Sequence, residues 1–445
     1  MTTAPSPPRP APVPTGPLGH RARNHLLRGY GDHTDRPVPV ITRGEGPYVW
    51  DETGRRYFDA VSACWVVQVG HGRSELVEPA VAQARDLAYF PLIECAHPKA
   101  VELAERLAHL APRDLDRVFF TSGGSETVES AWKLAKQYFK LIGQPQRYKV
   151  ISRHDAYHGS THGAMAVSGI PFMDEVFGPL VPGTGTVPAG FSAAAIARAI
   201  EAAGPDTVAA VLLEPVSHPG CATPPPGYFR EVREVCDRYG VLLIADEVVC
   251  GVGRLGHMFG GERYGMEPDI MCLAKGLSSG YAPIGAMIFA ERIMEPLRRP
   301  GILLLNGYTF SGHPLSAAVT LAHLDLVERE RVFDHVRDHE SALRATLERL
   351  CDLPMVRAVH GAGYLYSIEL VKDKSTGEPL TTEECERLLD DYLTKALFAA
   401  GLHCRAGDHD LPFIQIAPPL TCEQAHFDEI EQLLRGVLPD LSRMI

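Results

Sequence analysis

Six short, almost continuously apolar runs most constrain how this chain can fold. They lie at residues 117–121, 148–152, 208–213, 241–245, 270–274 and 284–290. Such runs are typical of strands that are buried on both faces of a parallel sheet. Helical patterns separate them, and alternation of strands and helices predicts an α/β domain with a mostly parallel sheet.

Two of the intervening segments repeat apolar residues at helical spacing. The residues predicted to share the face of the first helix are Val128, Ala131, Trp132, Ala135, Phe139 and Ile142. In the second helix they are Tyr228, Val232, Val235 and Tyr239. Gly240 follows, where a glycine can end the helix.

The remaining segments differ in composition and predict the domain organisation. Residues 1–17 contain seven prolines and no apolar stretch, which predicts a disordered leader and no signal peptide. Residues 71–330 are expected to form the large domain. Residues 18–70 contain paired strands at 46–54 and 57–60. From about residue 330, predicted helices near 316–350, 381–400 and 422–437 surround predicted strands at 363–371 and 412–417, which indicates a smaller α+β domain over residues 331–445.

Composition excludes several classes of function. The 445 residues carry a formal net charge of −12, which argues against non-specific binding of nucleic acid or anionic membranes. No apolar run reaches the roughly 18–20 residues that span a bilayer. The ten cysteines show no C-x-x-C pair and no metal-ligand spacing, so we expect reduced thiols in a cytoplasmic protein, with no metal.

A turn of small residues follows the first apolar run. Gly123, Gly124 and Ser125 lead from the strand into a helix. Glycines let a ligand approach the backbone, and the N–H groups at a helix start suit a phosphate. A tight turn without a ligand is the alternative interpretation.

Ionisable residues end three of the other runs. Asp246 ends the run 241–245, Glu214 follows 208–213, and Lys275 follows 270–274. The carboxylates could also be helix-capping or salt-bridged groups, and the lysine could extend to the surface. Partial burial favours the neutral, nucleophilic form of a lysine amine.

Together these groups suit pyridoxal phosphate. The turn would hold its phosphate, and Asp246 would keep the pyridine nitrogen protonated. Lys275 would bind the cofactor through a Schiff base and later move a proton. The histidines 71, 154, 158 and 313 show no spacing that suggests a metal site.

From about residue 41 onward the chain resembles the class III, or ω-, aminotransferases, which are fold-type I pyridoxal-phosphate enzymes. The resemblance is carried by residues 241–256 (VLLIADEVVCGVGRLG) and 268–285 (PDIMCLAKGLSSGYAPIG). It implies a large domain with a mostly parallel seven-stranded sheet flanked by helices. The N-terminal segment, residues 18–70, would join the C-terminal segment, residues 331–445, in a smaller α+β domain.

The resemblance also implies the residues that contact the cofactor. Tyr157 would stack on the pyridine ring, and His158, Glu214 and Val248 would lie around it. Thr309 would reach the phosphate of the neighbouring subunit, which implies a homodimer. The turn at 123–127 reads Gly-Gly-Ser-Glu-Thr where the family usually has Ser-Gly-Ser-Glu-Ala, so one hydroxyl contact to the phosphate would be lost.

On the substrate side, the resemblance places Trp65 and Tyr89, with Phe90, at the entrance. They could instead be core aromatics. Arg405 matches a mobile arginine that holds a substrate carboxylate, and guanidinium–carboxylate pairing explains that choice of residue. A surface ion pair with Asp408 or Asp410 is the alternative.

These features predict a pyridoxal-phosphate-dependent aminotransferase with a ping-pong mechanism. The expected donor is an ω-amine, ω-amino acid or similar compound, and the expected acceptor is an oxo acid or aldehyde, with pyruvate favoured. Another reaction of the same family, such as that of a decarboxylase, aminomutase, racemase or phospholyase, is the first alternative. A non-enzymatic binding protein is the second, but such a protein would be expected to lose Lys275 or Asp246.

Overall fold

The computed structural model describes residues 13–30, 38–217, 220–408 and 411–445. They form two compact units. The large unit is Ser74–Arg337, and the small unit combines the described residues up to Arg73 with Asp338–Ile445. The predicted boundaries lie after residues 70 and 330, whereas the units divide after Arg73 and Arg337. The Arg337 guanidinium donates a hydrogen bond to the carbonyl oxygen of Gly256 within the large unit.

A mostly parallel sheet forms the centre of the large unit. Across the described residues its seven strands are, in spatial order, Leu115–Thr121, Gly285–Ala290, Ile270–Leu273, Leu242–Asp246, Val208–Leu213, Lys149–Arg153 and Thr184–Val187. Only Gly285–Ala290 runs antiparallel to its neighbours among these described strands. The six predicted strands and the predicted fold class are therefore confirmed. Thr184–Val187 lacks an apolar run because it is an edge strand with two exposed residues.

Side chains of the central strands alternate between two hydrophobic clusters, one on each face of the sheet. In Leu242–Asp246, Leu243 and Ala245 belong to one cluster, whereas Leu242 and Ile244 belong to the other. Because both faces are covered, every position of this strand before Asp246 is apolar. This burial is the physical reason for the continuous runs in the sequence.

Two predicted helices cover opposite faces of the sheet. Gly124–Leu141 contributes all its predicted face residues except Ile142 to one cluster. Ile142 follows the end of the helix and is exposed, because the helix is one residue shorter than its apolar repeat. Tyr228–Tyr239 packs on the other face and ends at Gly240, as predicted. This glycine has a left-handed conformation with a φ of 62°. The other α-helices among the described residues of the large unit are Ser74–Asp86, Pro98–Leu110, His162–Val167, Pro171–Phe177, Ala193–Ala203, Glu291–Met294 and Pro314–Arg329.

The described residues of the small unit form two sheets. One has the strand order Ile41–Glu45, Tyr48–Asp51, Arg56–Asp59 and Leu402–His403. The other has the order Val356–Ala362, Leu365–Leu370, Leu411–Ile416 and Arg405–Asp408. Its helices include Pro17–His25, Thr382–Glu386, Thr394–Ala400 and Gln424–Arg435, and Val332–Glu348 crosses the sequence boundary between the units. This α+β composition agrees with the predicted fold class.

Residues 1–12 of the predicted leader lie outside the described residues. Pro17, the last residue of that segment, begins the helix Pro17–His25. Proline is tolerated there because the first N–H groups of a helix have no partner within it. The backbone N–H groups of Gly16, Leu18 and Gly19 instead donate to the carboxylate of Glu52.

Two kinds of feature are absent from the part of the chain that the structure describes. No helix there is long and apolar enough to cross a membrane. No cluster of three or more His, Cys, Asp and Glu side chains in the same residues could hold a metal ion.

Candidate active site

Three of the predicted site residues lie at one edge of the large sheet. Asp246 is the last residue of Leu242–Asp246, and the neighbouring parallel strands are followed by Glu214 and, after Ala274, by Lys275. The carboxyl ends of parallel strands meet at the same edge, which is where open α/β sheets bind ligands. The topology therefore brings these three side chains to one side of the sheet.

Asp246 is buried and held by a hydrogen bond at each carboxylate oxygen. His158 Nδ1 lies 2.7 Å from Asp246 Oδ2, and the N–H of Val248 donates to Asp246 Oδ1 at 3.0 Å. When the carboxylate is ionised it can only accept hydrogen bonds, so the imidazole then donates from Nδ1. These contacts give the carboxylate a single orientation, as required of a group that keeps a ring nitrogen protonated.

Lys275 begins a 3-10 turn, Lys275–Ser278, in a strained backbone conformation. Its φ of +42° lies in the left-handed region that residues with a Cβ rarely adopt. Such strain is found at functional sites, where the surrounding structure maintains it. Buried His323 stabilises this turn, because its Nδ1 lies 3.1 Å from the carbonyl oxygen of Leu277.

Residues 123–125, called the phosphate turn below, lead into the helix Gly124–Leu141. A Cβ on Gly124 would lie 3.0 Å from Val248 Cγ1 and 3.6 Å from the Cβ of Ala274. The phosphate turn therefore packs between the residues that flank Asp246 and Lys275. Gly123 has extended backbone, and a Cβ there would meet no atom within 4 Å, so the serine usual in the family would also fit.

Residues 157–161, called the aromatic loop below, are fastened to the phosphate turn. Ser125 Oγ accepts the N–H of Ser160 at 3.0 Å, and Tyr157 Oη lies 2.8 Å from Ser160 Oγ. Gly159 has a φ of +142°, and a Cβ on it would lie 2.7 Å from Ser125 Oγ. The loop can thus approach Ser125 only because residue 159 is a glycine.

Glu129 provides a second attachment for the aromatic loop. Its Oε2 accepts the hydroxyl of Thr161 at 2.7 Å and the N–H of Ala164 at 3.0 Å. Ser160, Thr161 and Glu129 were not identified from the sequence, because their spacing along the chain carries no signal for these contacts.

Glu214 contacts a buried arginine. Its Oε2 lies 3.1 Å from Arg153 Nη2, and the same guanidinium donates to the Glu214 carbonyl oxygen at 3.1 Å. This geometry matches the salt-bridged alternative for Glu214. Its contact with the cofactor stays a prediction.

Glu247, next to Asp246, supports the site from within the core. Its two carboxylate oxygens accept the N–H groups of Gly260 and Gly261 at 2.8 and 2.7 Å. Burial raises the pKa of Glu247 to about 8. The residue therefore links the segment that follows Leu242–Asp246 to the segment that precedes the next strand, Ile270–Leu273.

Thr309 and Tyr89 contact each other on the surface of the large unit. The Tyr89 hydroxyl donates to the Thr309 carbonyl oxygen at 2.6 Å. Tyr89, Phe90 and Thr309 are exposed, so the alternative that Tyr89 and Phe90 are core aromatics is wrong.

Trp65 and Arg405 lie together in the small unit. The Arg405 guanidinium carbon is 5.5 Å from the centre of the Trp65 ring, and the tryptophan is buried. Asp410, one alternative partner of Arg405, lies outside the described residues, as does the side chain of Asp408. The two residues assigned to the substrate side are therefore neighbours.

The residues of the large unit fit pyridoxal phosphate. Lys275 supplies an amine that can bind an aldehyde, and Asp246 supplies a buried, oriented carboxylate. The phosphate turn supplies the start of an 18-residue helix, whose first N–H groups suit a phosphate. Beside them, the open space at Gly123 leaves room for a bound group.

Comparisons with known proteins agree with this geometry. The family model described as aminotransferase class-III matches residues 30–438. A probable aminotransferase of Mycobacterium tuberculosis is 51% identical, over 98% of this chain and 97% of its own length. A putrescine–pyruvate aminotransferase of Pseudomonas aeruginosa is 34% identical, over 94% of each chain. Among solved structures, an (S)-enantioselective omega-transaminase from Thermomicrobium roseum superposes with a TM-score of 0.89 at 36% identity, covering 96% of this chain and 100% of that one.

Proposed function

The chain belongs to the class III aminotransferases, and on this premise we propose that it moves an amino group from an ω-amine, ω-amino acid or similar donor to an oxo acid or aldehyde. Pyruvate is the proposed acceptor. Class III aminotransferases use pyridoxal 5'-phosphate, and a related amine transaminase structure contains it. The two half-reactions would follow a ping-pong order, since donor and acceptor would use one site in turn.

The observation that carries this proposal is the meeting of Lys275, the Asp246–His158 pair and the phosphate turn at one edge of the sheet. When bound, the cofactor supplies an electron sink that stabilises negative charge on the substrate carbon. Lys275 Nζ would hold the cofactor and then move the proton that leaves the amine-bearing carbon. Asp246 would hold a proton at the ring nitrogen, and His158 and Val248 keep its carboxylate in place.

Arg405 and Trp65 support the choice of substrates. A guanidinium can pair with the carboxylate of pyruvate or of an amino acid. A donor without a carboxylate needs no such pairing and would be admitted when the Arg405 side chain swings aside from the buried indole of Trp65. A relative named for the use of putrescine and pyruvate is consistent with both requirements.

Absorption spectra of the purified holoenzyme test the reaction. Alanine, a diamine and a long ω-amino acid would each be added alone, with no acceptor present. We expect at least one to convert the absorption band of the bound cofactor to that of its amine form, and pyruvate to reverse the change. Lys275→Ala serves as the control that should not turn over. Release of carbon dioxide, ammonia or phosphate without this conversion would favour the decarboxylase, aminomutase, racemase or phospholyase alternatives.

We also propose that the enzyme is a homodimer in which Thr309 reaches the cofactor of the neighbouring subunit. The support is an exposed set of large apolar side chains on the large unit. Its most exposed members are Ile93 at 81% and Leu305 at 87%. The others are Tyr89, which contacts Thr309, its sequence neighbour Phe90, and Leu303 and Phe310, which lie close to Thr309 in the sequence. Exposed apolar surface of this kind is typical of an interface between subunits.

Mixed dimers test this arrangement. Lys275→Ala lacks the catalytic amine, and Thr309→Val lacks the hydroxyl. If Thr309 acts across the interface, a dimer of one subunit of each variant contains one complete site. Refolding the two variants together should then restore activity above that of either homodimer. No gain in a verified mixed dimer would contradict the proposal.

We further propose a cytoplasmic location, where a chain with ten cysteines would keep its thiols reduced. Fractionation of the source cells tests it, and recovery of the protein outside the cytoplasm would contradict it.

A further inference from the structure

We infer that Asp59 is a positioning residue for substrate carboxylates, because its carboxylate fixes both the turn that carries Trp65 and the strand that leads to Arg405. The inference rests on the proposed role of Arg405. All of these residues belong to the small unit.

Asp59 is 1% exposed and accepts hydrogen bonds from three directions. His71 Nε2 lies 2.9 Å from Oδ2, and His403 Nδ1 lies 3.0 Å from Oδ1. The N–H of Ala63 lies within 2.7 and 2.8 Å of the two oxygens. Burial would raise the pKa of Asp59, but the hydrogen bonds from His403 and His71 outweigh it and lower this pKa to about 2. The residue is therefore a carboxylate at neutral pH.

The first segment that Asp59 stabilises is the turn Ser62–Trp65. Ser62, Ala63 and Trp65 have φ values of +48°, +60° and +57°, which residues with a Cβ rarely adopt. The Ala63 N–H that donates to Asp59 lies in the middle of this strained turn. Ser62 Oγ adds a hydrogen bond of 2.7 Å to the carbonyl oxygen of Ala417. Trp65 keeps its position because these contacts maintain the turn.

The second segment is the strand that leads to Arg405. Leu402–His403 pairs in parallel with the strand that ends at Asp59, and the N–H of Ala60 donates to the His403 carbonyl oxygen at 2.8 Å. The His403 ring then returns to the Asp59 carboxylate. Arg405 follows two residues later and reaches the face of Trp65. One carboxylate is thus linked to both members of the Arg405–Trp65 pair.

His71 connects the same carboxylate to a third element. Its backbone exchanges hydrogen bonds of 3.0 and 2.9 Å with Gly46 in the hairpin at the start of the small unit. The ring is therefore held on a rigid support while its Nε2 donates to Asp59. This support prevents the carboxylate from turning away from His403 and Ala63.

Loss of this arrangement should affect some substrates more than others. A substrate carboxylate needs the planar guanidinium at a defined position and angle, so displacement of Arg405 weakens its binding. A diamine has no carboxylate, so its binding does not depend on the position of the Arg405 guanidinium. Asp59 should therefore matter selectively for carboxylate-bearing substrates, whereas a residue that only maintained the fold would affect all substrates alike.

The test compares three variants of the holoenzyme. Asp59→Asn keeps the size of the side chain but presents an amide N–H₂ where a carboxylate oxygen accepted. Arg405→Ala removes the proposed carboxylate partner itself. Glu369→Gln is the matched control, since Glu369 also pairs with a histidine, His360, at 2.9 Å, but on the exposed surface of the small unit.

Two measurements are made on each variant. Calorimetry gives the Kd of propionate, a carboxylate that cannot react, and single-turnover spectra give the rates with alanine and putrescine. We expect Asp59→Asn to weaken propionate binding by about tenfold or more, the range for a hydrogen bond to a charged group. The alanine concentration that gives half of the maximal single-turnover rate should rise similarly, while the putrescine rate and all values for Glu369→Gln change less than about twofold.

The outcomes separate this inference from the proposed function. Equal losses with alanine and putrescine in Asp59→Asn, or no loss with either, would overturn the inference alone, provided that Arg405→Ala weakens propionate binding. If Arg405→Ala binds propionate as the wild type does, the proposed role of Arg405 fails, and the inference fails with it.

Discussion

Replacing Gly159 by alanine tests whether the aromatic loop orients Ser125 for the phosphate. Gly159 has a φ of +142°, and an added Cβ would lie 2.7 Å from Ser125 Oγ, 2.8 Å from the Cβ of Ala164 and 2.9 Å from the Ser125 Cα. Contacts this short force a displacement. Two of these atoms belong to Ser125, so the residue expected to bind phosphate is the one that must move.

The structure allows the size of the effect to be estimated in two parts. The strained φ should cost about 1–3 kcal/mol of unfolding free energy. Overpacking against Ser125 and Ala164 should cost about 1–3 kcal/mol more. If the Ser125 hydroxyl loses its hydrogen bond to the phosphate, about 1.5–3 kcal/mol of binding energy is lost. That loss corresponds to a Kd for pyridoxal phosphate roughly 10- to 150-fold higher.

Gly190→Ala is the matched control for the backbone term. Gly190 has a φ of +103°, and a Cβ there would meet no atom within 4 Å. This variant should lose about 1–3 kcal/mol of stability, with an unchanged Kd. Stability is measured by urea unfolding of the apoprotein, and the Kd by titrating the apoprotein with the cofactor while its absorption is recorded.

The reasoning would be refuted by a Gly159→Ala variant that binds the cofactor as tightly as the wild type. It would equally be refuted if Gly190→Ala weakened binding to the same extent, because the effect would then follow from reduced stability and not from Ser125.

Three further predictions concern the large unit. His323→Leu removes the hydrogen bond to the Leu277 carbonyl, so we expect kcat in steady-state assays to fall about tenfold while the cofactor stays bound. His323→Asn keeps a hydrogen-bond donor and should recover part of the lost kcat. Leu243→Ala removes a fully buried side chain and should cost about 2–5 kcal/mol in urea unfolding, with no change in the cofactor Kd; a changed Kd would contradict its purely structural role. Because the pKa of Glu247 is raised to about 8 from 4.5, the folded protein holds this proton more tightly than the unfolded chain does. Stability due to this group is therefore complete below pH 4.5 and lost as pH rises towards 8, and Glu247→Gln should flatten that part of the stability profile.

Much of the fold was predictable because burial leaves a direct mark on the sequence. A central strand such as Val208–Leu213 is covered on both faces and is apolar at every position. An edge strand such as Thr184–Val187 is only partly covered, so its composition does not separate it from a loop. The helix Tyr228–Tyr239 was predictable to its last residue, since its apolar repeat and Gly240 both indicate its end.

The candidate site was predictable where an ionisable side chain stands at the end of a buried, apolar strand. Burying a lysine or a carboxylate costs free energy unless the group has a partner or a functional role. Lys275 and Asp246 were recognisable for this reason. Glu214 has the same position relative to its strand, yet its carboxylate contacts Arg153. The position alone does not distinguish a ligand contact from an internal ion pair.

The sequence by itself determined the α/β fold, the strand ends that carry chemistry and, through its motifs, the family. Only the tertiary structure decided which side chains meet: His158 with Asp246, 88 residues apart, and His403 with Asp59, 344 residues apart. Such pairs depend on how strands are ordered and paired in the sheets. A histidine has the same local sequence signal whether it orients a carboxylate or lies on the surface, so its partner is known only once the chain has folded.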